Sequence, residues 1–153
     1  MKKKNEVNPK PVDYPFVTPQ SMAEMMQFVR KPSWEQVINE GLVKKLGIAS
    51  NNEPKVPIAL RFLGIIDSAG SPTKEFSELK NNYQATLKRI VKEKYGALFA
   101  VIPPDMATRK RLKAFFGKKQ TDERRARFLI WLCKEAGIDL PTLESEQLSG
   151  KSG

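Results

Sequence analysis

Lys80, Gln84, Lys88 and Lys92 stand four residues apart in a chain with 27 Lys and Arg against 17 Asp and Glu, a net charge of +10. On a helix that spacing stacks the four side chains on one face, and aligned ammonium groups suit the phosphates of a nucleic-acid backbone. Like charges so placed cost about 0.2–0.5 kcal/mol per pair in an isolated helix. Only Arg89 and Glu93 offer a compensating pair along the same stretch. A second, denser source of cations follows at Arg109, Lys110, Arg111, Lys113, Lys118, Lys119, Arg124, Arg125 and Arg127. The bland alternative is a solubilising basic surface.

Other chemistries lack their residues. The chain has no histidine and one cysteine, Cys133, which removes the usual general base, the commonest metal ligand, any Ser-His-Asp or Cys-His arrangement and any intramolecular disulfide. No metal and no cofactor are expected. Glycines stand singly at helix ends and form neither GxGxxG nor a Walker A pattern. Asp122-Glu123 suits a helix N-terminus by dipole complementarity, and Glu144 with Glu146 lies in a polar tail. The expectation is a protein without catalysis.

Periodicity indicates which elements carry the cations. Residues 1–13 hold lysines and prolines and read as a disordered basic arm; residues 14–140 read as a single mainly helical domain and 141–153 as a flexible tail. Asn5-Glu6 and prolines stand after Met1-Lys-Lys-Lys4, where a secretory leader needs about 7–15 apolar residues, so a cytoplasmic protein without a membrane segment is expected. Thr18-Pro19 opens a first helix carrying Met22, Met25, Met26 and Val29 on its core face. Ser33 is expected to cap a second, with Trp34, Val37, Ile38, Leu42 and Leu46 in one stripe and Gly47 as its stop.

A third helix follows Ser50-Asn51-Asn52 and buries Val56, Ala59, Leu60 and Leu63, leaving Pro54, Pro57, Ile58 and Arg61 exposed with Lys55 and Phe62 on the flank. Ile65 and Ile66 favour a strand, Asp67 to Ser71 a turn, and the order helix, turn, helix, hairpin suggests a winged helix-turn-helix-like half over 18–76. A three-helix bundle with a bend is the alternative. Leu79, Tyr83, Leu87, Ile90, Val91, Leu98 and Phe99 mark one long amphipathic helix. Asp105 is expected to cap a helix with Leu112, Phe115 and Phe116, and Thr121 to open a last one whose Phe128–Cys133 run is buried on every side. These make a three-helix extension over 77–138.

The segments ALRFLGIIDSAGSPT, KEKYGALF and FLIWLCKEAGI resemble those of an uncharacterised bacterial domain family of unknown function, over residues 14 to about 138. The resemblance implies a bacterial cytoplasmic protein with a winged-helix-like first half. It carries no catalytic or binding residues.

The reading is thus a binding module that contacts DNA or RNA through its phosphates. Its contact residues are Lys55, Arg61, Lys74, Lys88, Arg89, Lys92, Arg109, Lys110, Arg111, Lys113, Arg124 and Arg125. Direct base reading uses bidentate Arg, Asn, Gln or Lys contacts, and the third helix supplies only Arg61 as a good candidate. The alternative is an adaptor whose third helix docks a protein partner or a second copy through Ile58 and Phe62.

Overall fold

A computed structural model describes residues 13–141. Among the described residues it holds eight α-helices and one 3₁₀ turn: α1 (Pro19–Val29), α2 (Glu40–Leu46), α3 (Lys55–Phe62), α4 (Lys74–Asn81), α5 (Tyr83–Lys94), α6 (Gly96–Val101), the 3₁₀ turn Pro104–Met106, α7 (Arg109–Phe116) and α8 (Gln120–Ala136). The expected arm over 1–13 and tail over 141–153 lie outside the described residues, apart from Asp13 and Pro141.

Several termini follow directly from local chemistry. Thr18 Oγ1 accepts from the Ser21 amide at 3.3 Å, with Pro19 in the first helical position, so α1 starts where its cap stands. Gly47 and Gly137 close α2 and α8 at φ 71° and 75°, a left-handed conformation that costs glycine no Cβ clash. α1 buries Met22, Met25, Met26 and Val29, and α3 buries Val56, Ala59 and Leu60 with Leu63 behind them. Pro57 is buried too, against expectation. It lies in the first turn of α3, where its missing N–H costs nothing. The core is completed by α8, which packs on α5, α7 and α1; its Trp131 is only partly buried.

The winged half does not form. Among the described residues there is no strand, and in place of the expected hairpin a single antiparallel bridge joins Ile66 to Pro72. The β-branched side chains of Ile65 and Ile66 serve burial rather than strand pairing. Asp67 Oδ1 accepts from the amides of Ala69 and Ser71, both at 2.9 Å, and closes the turn tightly. Pro72 has no N–H to extend a ladder, and Thr73 caps back by donating its hydroxyl to Gly64 O at 2.6 Å before α4 begins. The fold is all-α.

Three helix boundaries also differ from expectation. Residues 34–39 are outside any helix, with Trp34 packed on Phe28 and Phe76 at ring distances of 5.3 and 6.3 Å, and the Ile38 amide donates to Gly70 O at 2.8 Å. The α2 cap is accordingly Asn39, whose Oδ1 accepts from Leu42 N at 2.9 Å, rather than Ser33. The long helix is three, broken at Asn82 (φ −142°, ψ 71°) and at Tyr95 (φ −105°, ψ 21°), so more than three helices follow residue 77. Asparagine competes for its own backbone and favours helix ends, while Tyr95 turns wholly into the core. Thr108, not Asp105, caps α7, accepting from Arg111 N at 3.2 Å.

The segment before α1 is held by aromatic packing. The Tyr14 ring stacks on Tyr95 at 5.1 Å and meets Phe62, Phe115 and Phe116 edge-on at 5.8, 6.2 and 5.4 Å. Such pairs add about 0.5–1.5 kcal/mol each beyond area burial. One knot therefore joins this segment to α3, α7 and the α5–α6 junction.

Candidate nucleic-acid interface

The cationic strip read along the long helix is divided by the break at Asn82. Lys80 falls on α4 and turns inward, donating from Nζ to the carbonyls of Val29 (2.6 Å), Trp34 (2.8 Å) and Lys31. It thereby gathers carbonyls at and just beyond the C-terminal end of α1, and partial burial lowers its pKa. Arg89, expected on phosphates, instead grips Glu75 through two hydrogen bonds of 2.9 and 2.6 Å. That guanidinium holds the Glu75 carboxyl below its ordinary range. Lys88 and Lys92 remain exposed on α5, one turn apart, and neither has a carboxylate partner among the described residues.

On α7 the cations surround one buried residue, Leu112. Lys110, Arg111 and Lys113 are exposed and Arg109 partly so; Arg111 also donates to Met106 O at 3.0 Å. The first turn of α7 carries Arg109, Lys110 and Arg111 with no acid. Cations at the positive end of a helix are unfavourable by about 0.3–1 kcal/mol each at low ionic strength. An anion lying across that end reverses the sign.

The third helix offers less than expected to either a groove or a partner. Arg61 is exposed, and its Nε donates to Asp67 O at 3.3 Å, which braces the turn. Phe62 is not a surface anchor: its ring packs at 5.8 Å on Tyr14 and 5.4 Å on Tyr95. Ile58 stays 49% exposed, an isolated apolar residue beside a buried Pro57. Lys74 is exposed at the start of α4.

Three of the expected cations meet where α3 and α8 face the start of α1. Lys55 Nζ lies 4.4 Å from the centre of the Phe16 ring and Arg125 Cζ 5.2 Å from it. Arg125 is a strut. Its Nε donates to Tyr14 O at 2.7 Å and its Nη1 to Thr121 Oγ1 at 3.3 Å and to Asp122 Oδ1 at 3.0 Å. Asp122 in turn accepts the Lys119 amide at 3.1 Å, which fixes the start of α8. Beside this strut opens a groove of about 550 Å³ lined by Lys55, Arg124, Arg127, Phe16 and the first turn of α1. Arg124 is exposed with no carboxylate partner among the described residues, and Arg127 reaches Glu123 only at 3.9 Å. Sequence reasoning missed Phe16 and Arg127 as groove residues. The i, i+3 spacing of Arg124 and Arg127 was the available signal for the second.

Among the described residues, no group of three or more Asp, Glu, Cys or His could hold a metal ion, and no helix is long and apolar enough to cross a membrane. Cys133 is buried on α8, and burial pushes its thiol up to about 12. A family model described as "Family of unknown function (DUF5343)" matches residues 15–135. No curated protein and no solved structure matches the chain.

Proposed function

We propose that this chain, which belongs to that family of unknown function, is a non-catalytic module that binds DNA or RNA through the sugar-phosphate backbone. The observation that carries the reading is the surface of α7: Lys110, Arg111 and Lys113 stand exposed around its one buried residue, Leu112, and its first turn contains no acidic residue. Lys88 and Lys92 on α5 and Arg124 on α8 extend the same character. Backbone contacts of this kind position a protein without reading bases, and α3, with Arg61 engaged on the turn, supports no base reading. A bacterial cytoplasmic setting belongs to the same reading, supported by the family resemblance and by a lone buried thiol.

Gel-shift titrations against unrelated DNA duplexes and RNA hairpins at low salt test it. Binding with affinities alike across sequences is expected. No measurable binding, or a sequence-selective loss on Arg61→Ala, would overturn it.

A further inference from the structure

The groove between α1, α3 and α8 differs from the open cationic faces of α5 and α7. It is concave, and its volume of about 550 Å³ falls within the size range of small-ligand sites, about 300–1,000 Å³. Lys55 and the pair Arg124 and Arg127 line it, while Ser21, whose Oγ accepts from the capping Thr18 hydroxyl at 2.9 Å, offers its own hydroxyl proton at the start of α1, whose first turn carries no acid. Glu24 is the one carboxylate on the lining, an acceptor suited to the hydroxyls of a sugar. Three cations around one concave site exceed what a single phosphodiester needs. A phosphomonoester carries about −1.5 to −2 at pH 7 and three acceptor oxygens, which matches the donor set better.

We propose that this groove is a phosphomonoester site that takes the phosphate of a phosphorylated nucleoside, either at the end of a nucleic-acid strand or on a free mononucleotide. The strand-end source rests on the backbone-binding reading above; the mononucleotide source does not. Arg124 and Arg127 grip the phosphate oxygens from one face of α8, Lys55 closes from α3, and Glu24 accepts from the sugar.

The test compares single-stranded oligonucleotides of one sequence bearing a 5′-phosphate, a 3′-phosphate or only hydroxyl ends, and adds AMP and inorganic phosphate in thermal-shift measurements. One phosphorylated end is expected to bind about tenfold or more tightly than the hydroxyl form, the scale of one or two charge-assisted hydrogen bonds. In the variant K55Q/R124Q/R127Q the ratio between phosphorylated and hydroxyl forms should fall to about one, whatever happens to absolute affinity. R127Q alone should reduce it and leaves the rest of the groove in place should the triple variant misfold. If neither oligonucleotide binds but AMP raises the melting midpoint, and R127Q weakens that rise, the phosphate site stands on the mononucleotide source and the backbone reading falls. Equal affinity for all oligonucleotide ends, with no response to AMP or phosphate, overturns the site and leaves the backbone reading intact.

Discussion

Lys80 and Lys88 are the same residue type at helical spacing, yet one closes the end of α1 and the other faces water. Composition reports that cations are abundant; it does not report which carbonyl each one meets. Replacing Lys80 by methionine keeps the stem and removes the donor from carbonyls at and just beyond the end of α1. That change should cost about 1–3 kcal/mol in urea denaturation, and an unchanged midpoint would contradict the role. Acids inside the core set a pH dependence of their own. Burial raises the Cys133 thiol to about 12 and also raises the phenols of Tyr83 and Tyr95. As pH rises the unfolded chain loses these protons first, so it holds fewer than the folded one. Stability should therefore fall above about pH 9, by up to about 1.4 kcal/mol per pH unit for each group. Equal urea midpoints at pH 8 and 10.5 would contradict this.

At the scale of elements, periodicity recorded burial unevenly and continuity badly: Val37, expected in the second core stripe, is 50% exposed, and Val43 takes the buried place on α2. Leu79, Leu87, Ile90, Val91 and Leu98 are all buried as expected, but α4, α5 and α6 keep their apolar faces toward one core across the breaks at Asn82 and Tyr95. The apolar pattern is blind to such breaks because it senses the side-chain face and not the backbone hydrogen bond. Ile65 and Ile66 misled for the same reason: β-branching matched a buried turn entry as well as a strand. Gly70 shows what holds that turn to the non-helical segment before α2. A Cβ there would stand 2.6 Å from Ile38 O, and the residue sits at φ 87°. Gly70→Ala should cost about 1–3 kcal/mol or more by denaturant titration. Gly96, at the start of α6, has open space around its Cβ position, so Gly96→Ala should be neutral or stabilise by up to about 1 kcal/mol. The reverse order of these two variants would contradict the role given to the turn.

Taken whole, the molecule keeps most of its charges outside its core, with Asp122 the buried exception among the described residues. Lys55, Arg124 and Arg125 share one region although the sequence places them on distant helices, and no local pattern predicts that α3 and α8 flank the start of α1. Tyr14 and Phe62 were equally illegible, because an aromatic knot is a property of tertiary packing and not of spacing. What the chain did disclose was that cations would outnumber acids after Leu79 and that no histidine is present. The central claim is that the exposed cations of α5 and α7 bind phosphates, and a salt titration tests it most directly. The affinity of the full chain for a random DNA duplex should fall linearly on a log–log plot against salt. In the variant K88A/K92A/K110A/K113A that slope should shrink by roughly 0.9 for each phosphate no longer neutralised, several units in all if the four lysines act as proposed. A variant that keeps the slope and affinity of the original chain would contradict the claim, as would the absence of binding at low salt.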